Sequence, residues 1–238
     1  MAVTWHNHES CGFVVLNNPP VNAINHNMRE GLISAVKWAK REKLERVILS
    51  GSGHGFAAGA DTKEFDHPPV SPHLPDVINC IEASTVPWIA AIHGAALGGG
   101  GELALGCRYR IARADATIGF PEVILGLVPG AGATQRLPRL IGLTEALKLI
   151  PTGKTISGRA AMAIGLVDAI DDDPINAAKL IDQKILSELV PLNLTKAGAD
   201  KTVNYDTARQ IAIRRMRGQE APLKAISLLE MAQTATFD

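Results

Sequence analysis

A run of four glycines, Gly98 to Gly101, stands directly before Glu102 in the stretch AALGGGGELALG. Glycine loses more backbone freedom on folding than any other residue, so such a run indicates a place where bare backbone is needed. The segment Val86 to Ile92 before it predicts a strand, and GELALGC after it has helical character. Glycines at the start of a helix leave amide donors unpaired, and the helix dipole adds positive charge there.

Three interpretations of the run are open at this point. Gly99, Gly101 and Ala104 satisfy the dinucleotide fingerprint G-x-G-x-x-A, although HGAALG separates Ile92 from the first of these glycines. The second interpretation is close packing of a helix on its neighbours. The third is a backbone N–H site for a developing oxyanion. That site needs a second donor, and the small-residue loop in FAAGADTKEF is a candidate for it.

Two carboxylates stand in apolar, small-residue sequence, where a solvated glutamate is not expected. Glu102 follows the glycine run, and Glu122 lies in GFPEVILG. Most glutamates are surface groups, and that is the ordinary reading of each taken alone. A helix followed by a returning strand could bring both to one pocket, where a pair of acids can divide acid and base duties on one water.

Short β-branched runs alternate with longer amphipathic segments along the first two thirds of the chain, which is typical of βαβ units. One helix is predicted from about Asn25 to Lys43, and RYRIARADATIG is predicted to be a single strand. From about Asp173 onward the sequence becomes mainly helical. We therefore divide the chain into a core, 1–185, and a helical C-terminal segment, 186–238.

Composition excludes several function classes. Lys+Arg 24 against Asp+Glu 24 gives no net charge, so the overall balance attracts neither nucleic acid nor an anionic membrane. No apolar run approaches the ~18–20 residues of a membrane span and no signal peptide is apparent, so we expect a cytoplasmic protein. Cys11, Cys80 and Cys107 form no CxxC pair, so neither a disulfide framework nor a metal site is expected.

The stretches NNPPVNAI, GFAAGADTKEF, AAIHGAALGGGGELALGCRYRIARADATIGFPEVILGLVPGAGATQRLPRLIG and TGKTISGRAAMAIGLVD together resemble the enoyl-CoA hydratase/isomerase (crotonase) superfamily. Within the superfamily, these stretches are most similar in sequence to the hydratase half of bifunctional enoyl-CoA hydratase/3-hydroxyacyl-CoA dehydrogenases. The resemblance implies an α/β fold: a crotonase-like spiral of ββα units with a helical C-terminal segment. It covers nearly all of the chain from residue 16 to about residue 170.

The resemblance also implies roles for particular residues. The oxyanion-hole amides fall on Ala60 and Gly99, and the catalytic glutamates on Glu102 and Glu122. Gly101 departs from the family pattern, since many relatives carry a larger residue there. The implied coenzyme A contacts fall on two loops and comprise Val21, Ala23, Ala58, Asp61 and Lys63.

The activity implied is hydration of the 2,3 double bond of trans-2-enoyl-CoA thioesters in fatty-acid β-oxidation. No cofactor is expected, because coenzyme A is part of the substrate. The expected partners are the acyl-CoA thioester and either further copies of this chain or a fused dehydrogenase domain. Two alternatives remain: a Δ3-Δ2 enoyl-CoA isomerase in which Glu122 moves a proton alone, and a non-catalytic nucleotide-binding module built on Gly99 to Ala104.

Overall fold

The computed structural model describes residues 1–198 and 203–237. Their strands form two sheets, one of six strands in the order β1-β2-β3-β5-β7-β10 and one of four in the order β4-β6-β8-β9. In chain order the strands are β1 (Val3–His8), β2 (Cys11–Leu16), β3 (Arg46–Gly51), β4 (Ala57–Ala58), β5 (Trp88–Ile92), β6 (Ala95–Leu97), β7 (Tyr109–Ala112), β8 (Thr117–Gly119), β9 (Thr155–Ser157) and β10 (Ala169–Ile170).

Ten α-helices cover or follow these sheets in the described residues. They are α1 (His26–Arg41), α2 (Leu74–Glu82), α3 (Gly99–Leu105), α4 (Ala133–Ile141), α5 (Leu143–Leu149), α6 (Gly158–Ala163), α7 (Pro174–Leu180), α8 (Gln183–Glu188), α9 (Tyr205–Arg215) and α10 (Ala221–Met231). The predicted first helix is confirmed, and its start is fixed by the Asn25 side chain, which accepts a hydrogen bond from the amide of Met28 at 3.0 Å.

The chain repeats one unit, in which a strand of the larger sheet is followed by a strand of the smaller sheet and then by a helix. β3, β4 and α2 form one such unit, and β5, β6 and α3 form the next. β3, β5 and β7 pair in parallel in one sheet, as β4, β6 and β8 do in the other. This is the spiral of ββα units that the family resemblance implies, whereas the hydrophobic pattern alone indicates βαβ units.

The prediction of one strand for RYRIARADATIG was wrong. The stretch holds β7 and β8, which belong to different sheets. A turn closed by the amide of Ala116 donating to the carbonyl of Arg113 at 3.1 Å separates them. The hydrophobic pattern of the two strands is continuous in sequence, so only the turn between them could have marked the change of sheet.

The C-terminal helices pack on the body of the fold. α10 contacts α4, α5 and α9, and its Ala225, Ile226 and Leu229 are fully buried. Leu186 of α8 is buried in a small apolar cluster with Ile48 and Ile89 of the larger sheet. The division at residue 186 stays a prediction, and residues 199–202 and 238 of its second part lie outside the described residues.

The glycine run lets α3 lie directly on the smaller sheet. A Cβ atom at Gly100 would lie 2.1 Å from the carbonyl oxygen of Ala57 in β4, and one at Gly101 would lie 3.0 Å from Cε1 of Phe120. Gly98 has φ +52°, a conformation that favours glycine, and it caps the helix. Close packing therefore accounts for the middle of the run, whereas Gly99 at its edge faces the loop after β4.

We expect Gly100→Ala to destabilise the fold, because the new methyl group meets backbone that cannot move without separating α3 from β4. Overpacking of this kind typically costs ~1–3 kcal/mol. Gly130→Ala is the matched control, since its Cβ would meet only the carbonyl oxygen of Val128, at 3.9 Å. Chemical denaturation of both variants measures the difference, and equal unfolding free energies would contradict the packing role of Gly100.

Candidate active site

Two backbone amides converge at the start of α3. Ala58 at the end of β4 pairs in parallel with Leu97 at the end of β6, so the chain segments that follow both strands lie side by side. A Cβ atom at Gly99 would lie 3.4 Å from the amide nitrogen of Ala60. Within the described part of the chain, neither the Gly99 nor the Ala60 amide donates to a backbone or side-chain acceptor. Two unused donors thus meet where an oxyanion could bind.

Glu102 is one helical turn further along α3 and is 2% exposed. Its Oε1 atom accepts hydrogen bonds from the amides of Ala131 at 2.8 Å and Ala133 at 2.9 Å. Burial raises the pKa of this carboxyl, while the two amides and the charge of Arg136 oppose that rise. Both donors serve Oε1, so within the described residues Oε2 is left for another partner.

Glu122 stands opposite, in the 3₁₀ helix Pro121–Leu125 that follows β8. A Cβ atom at Gly98 would lie 3.0 Å from its Oε1, so only glycine leaves room for this carboxyl beside the helix start. Its Oε2 is buried and has no hydrogen-bond partner in the described residues. Burial first, and then the negative charge of Glu102, raise the pKa of Glu122 to about 7.

The two carboxyls have different surroundings, and this difference determines which of them loses its proton first. Two N–H donors and a nearby guanidinium stabilise a negative charge on Glu102, whereas Glu122 has only its own backbone amide to favour ionisation. Two close acids titrate as a pair, so the first proton leaves the better-stabilised site. Glu102 is therefore the more readily ionised of the two, and Glu122, with a pKa of about 7, keeps its proton in a large fraction of the molecules near neutral pH. This is the arrangement of a general base and a general acid around one water.

The loops predicted to contact coenzyme A lie along the same edge. The amide of Ala58 donates to the carbonyl of Val21 at 3.0 Å, and the amide of Asp61 donates to the carbonyl of Ile24 at 3.1 Å. These bonds place Val21, Ala23, Ala58 and Asp61 next to Ala60. Lys63 follows in a short 3₁₀ helix whose start is capped by the Asp61 side chain. The structure brings the predicted set together, and the coenzyme A role stays a prediction.

Sequence reasoning missed the groups that hold this site in place. Asn22 is buried, and its Nδ2 donates to the carbonyls of Ser52 at 2.8 Å and Gly55 at 2.9 Å, which anchors the loop on which Val21 lies. Ala131 and Ala133 lie in the stretch PGAGATQRL, and the sequence pattern alone does not show that their amides bind Glu102. A buried glutamate with no predicted partner was the signal that could have pointed to them.

Within residues 1–198 and 203–237, no three His, Cys, Asp or Glu side chains are grouped so as to hold a metal ion. No helix in the same part of the chain is long and apolar enough to cross a membrane.

The two-sheet spiral and the glutamate pair beside two unused amides define a protein of the crotonase fold. The chain belongs to the enoyl-CoA hydratase/isomerase family, which matches residues 6–217. The family resemblance and the fold class predicted from the sequence are both confirmed.

Similar proteins carry names consistent with that family. The chain is 37% identical over 230 residues to a peroxisomal bifunctional enzyme of Danio rerio, a match that covers 94% of this chain and 32% of the relative. It is 43% identical over 162 residues to a probable enoyl-CoA hydratase of Bacillus subtilis, covering 65% of this chain and 63% of the relative. The chain thus spans about a third of the length of the bifunctional relatives it matches.

Solved structures of proteins with enoyl-CoA hydratase names have a similar fold. An enoyl-CoA hydratase from Thermoplasma volcanium is 32% identical with a TM-score of 0.72, and the match covers 97% of this chain and 91% of the other. An enoyl-CoA hydratase from Bacillus anthracis is 29% identical with a TM-score of 0.71, over the full length of both chains.

The raised pKa of Glu122 predicts a pH-dependent stability difference between the native chain and Glu122→Gln. The folded state binds this proton more tightly than the unfolded state, so the stabilising effect of the proton is fully present below the ordinary glutamate pKa of 4.5 and is lost as the pH rises to about 7. The uncharged glutamine avoids that loss. We expect the unfolding free energy of Glu122→Gln, relative to the native chain, to increase between pH 4.5 and pH 7 by on the order of 1–3 kcal/mol and then to level off.

Denaturation curves measured every half pH unit test this. A constant offset between the two proteins at every pH would show that the pKa of Glu122 is not raised.

Proposed function

We propose that this chain is an enoyl-CoA hydratase that adds water across the 2,3 double bond of trans-2-enoyl-CoA thioesters in fatty-acid β-oxidation. The observation that carries the proposal is the pairing of a carboxylate, Glu102, with a carboxylic acid, Glu122, next to two unused amides. The names of the relatives from Danio rerio and Bacillus subtilis support it.

In the proposed mechanism the thioester carbonyl oxygen accepts hydrogen bonds from the amides of Ala60 and Gly99. Glu102 takes a proton from water as the water oxygen forms a bond to Cβ. The electrons of the double bond move towards the thioester, and the two amides stabilise the negative oxygen that develops. Glu122 then delivers its proton to Cα. One water is added, and a proton must pass from Glu102 back to Glu122 before the next turnover.

The oxyanion hole and the two glutamates are expected to contribute comparable factors to the rate, so both are required. Removal of one oxyanion donor typically lowers kcat by ~10²–10³, and a general acid or base contributes ~10²–10⁴. We propose that no cofactor takes part, because these residues supply every proton and hydrogen bond that the addition needs. The thioester itself provides the electron-withdrawing group.

Isomerisation is the second candidate, and one observation favours it as a side activity. Glu122 has a buried unpartnered oxygen and a pKa of about 7, so it could move a proton between two carbons alone. The nucleotide-binding alternative is less well supported. α3 is buried throughout, and Gly100 and Gly101 face Ala57 and Phe120 rather than open space, so they are not accessible to a pyrophosphate.

The partners beyond the acyl-CoA thioester also belong to this proposal. The bifunctional relatives match this chain over about a third of their length, which supports fusion to, or assembly with, a dehydrogenase. Assembly of several copies of this chain remains the other prediction. The cytoplasmic location stays a prediction, because some of the relatives are named as peroxisomal and others are bacterial.

We expect Glu102→Gln and Glu122→Gln each to lower the rate of hydration at least ~10²-fold while the dissociation constant of an acyl-CoA changes little, because the amide is nearly isosteric and only proton transfer is lost. Loss of the enoyl-thioester absorbance measures the reaction, and calorimetry measures binding.

Glu188→Gln, at the exposed end of α8, is the control and should retain full activity. Wild-type turnover by either site variant would exclude the two-acid mechanism. If Glu102→Gln retained hydration and Glu122→Gln lost it, a mechanism in which Glu122 is the only catalytic acid or base would be favoured.

We expect Gly99→Pro to lower kcat ~10²–10³-fold, because proline removes the amide hydrogen that the oxyanion hole requires. Gly99→Ala is the matched control. It places the same Cβ against the Leu74 side chain, whose Cδ2 would lie 2.8 Å away, but it keeps the amide. The position is the first of α3, where proline is tolerated. Equal kcat values for the two variants would remove the Gly99 amide from the mechanism.

A further inference from the structure

A buried ion pair lies behind Glu102, between α4 and the end of α2. Arg136 donates to Oε2 of Glu82 from Nη2 at 2.7 Å and from Nε at 3.1 Å, and both side chains are 2% exposed. Nη2 also donates to the side-chain oxygen of Asn79 at 2.7 Å. The second oxygen of Glu82 accepts from the amide of Asn193 at 3.0 Å. One edge of the guanidinium is therefore fixed by several partners.

The other edge of the guanidinium points to the loop that holds Glu102. Nη1 of Arg136 donates to the carbonyl of Ala131 at 3.1 Å, and Ala131 is the residue whose amide donates to Glu102 Oε1 at 2.8 Å. Gly132 between the two donors has φ +106°, and a Cβ there would lie 2.2 Å from Nη1. The loop is thus shaped around the arginine, and glycine is required for the arginine to reach it.

Glu82 and Arg136 have no direct place in the proposed chemistry, yet burying both charges is costly. A buried ion pair is often no more stabilising than well-packed apolar residues of the same volume, so stability alone is a weak reason for its presence. A second ion pair, in which buried Arg110 meets half-buried Asp168 at 2.8 Å, gives a comparison. Arg110 also donates to the carbonyls of Leu166 and Cys107, and none of its bonds reaches a residue that holds Glu102.

We propose that Arg136, fixed by Glu82, is a positioning residue for the general base: it orients the loop 131–133 so that two amides hold Oε1 of Glu102 and leave Oε2 for the reacting water. This rests on the proposed hydratase function. The positive charge of Arg136 acts in the same direction as the two amides, since all three favour the ionised form of Glu102. Across the pocket, the negative charge of Glu102 opposes the ionisation of Glu122.

The test replaces Arg136 by lysine, which keeps the charge but cannot form the forked set of hydrogen bonds. We expect kcat for enoyl-CoA hydration to fall ~10–100-fold while KM stays within about twofold, because a displacement of a catalytic group by about 1 Å costs up to ~10²-fold in rate. Arg110→Lys disturbs a buried arginine paired with a carboxylate away from the site and should leave kcat unchanged. Circular dichroism and denaturation check that both variants fold.

Glu82→Gln is the second variant: glutamine can still accept from Arg136, which keeps its own contact with the carbonyl of Ala131, although the change removes the balancing charge. We expect it to lower kcat by less than Arg136→Lys does and to keep KM. A third variant, Arg136→Gln, removes the positive charge. It should move the acid limb of the pH profile of kcat/KM, which reports the base in the free enzyme, to higher pH. A purely structural role would leave that limb in place.

Three outcomes separate the possibilities. If the native chain hydrates enoyl-CoA and Arg136→Lys matches Arg110→Lys in kcat, the positioning role is wrong and the proposed function stands. If the native chain shows no hydration, the proposed function fails. A double-mutant cycle on the unfolding free energy then decides the positioning role alone. Coupling between Arg136→Lys and Glu102→Gln supports the link, and strict additivity overturns it.

Discussion

The contact between the backbone of α3 and the backbone of β4 is the constraint on which the site depends. Gly100 allows the helix to approach the carbonyl of Ala57 at a distance that excludes any side chain. That approach brings the Gly99 amide beside the amide of Ala60, which follows β4. It also carries Glu102 inward, to where the loop before α4 can meet it. The same contact therefore shapes the fold and the candidate site. The packing interpretation and the backbone N–H interpretation of the glycine run are compatible with each other. Gly100 and Gly101 serve packing, while Gly99 presents a donor.

The site achieves two protonation states with one residue type by giving the two glutamates different neighbours. Water solvates neither side chain well, so each would be neutral if burial were the only effect. Two amides and a cation compensate Glu102 for lost hydration, whereas Glu122 has a buried oxygen with no partner. The orphaned oxygen would be a defect in a structural side chain. In the proposed reaction, where Glu122 gives up a proton to the substrate, it is an oxygen left available to the bound molecule.

Much of the fold could be predicted from the sequence, because its repeating pattern and its motifs are local. The helix from His26 and the strand before the glycine run follow from hydrophobic periodicity and from the cap at Asn25. The division of RYRIARADATIG between two sheets could not be predicted, since the alternation of apolar and polar residues continues from Ala112 to Ile118 across a short turn. The predicted site residues are close together because parallel strands of one sheet end at a common edge, as Ala58 and Leu97 do.

The partners of Glu102 were beyond sequence reasoning for a different reason. They come from α2 and from α4 with the loop before it, and Glu82 and Arg136, which join the two, are 54 positions apart in the chain. Nothing in the types of Glu82 and Arg136 distinguishes them from surface charges on amphipathic helices. Only the observed burial identifies them, and burial is a property of the assembled fold.

Charges of alternating sign run through the interior from Glu82 to Arg136 to Glu102, and the next group in that line is Glu122. A negative charge there would place two carboxylates side by side with a single cation already shared between Glu82 and Glu102. Retention of a proton by Glu122 avoids that repulsion, which adds to the larger effect of burial in raising its pKa to about 7. The proton that the resting fold keeps for electrostatic reasons is the one that the proposed reaction transfers to Cα. In the proposed reaction Glu102 takes a proton from water and its charge is neutralised, so the part of the raised pKa of Glu122 that comes from Glu102 is removed as Glu122 gives up its own proton.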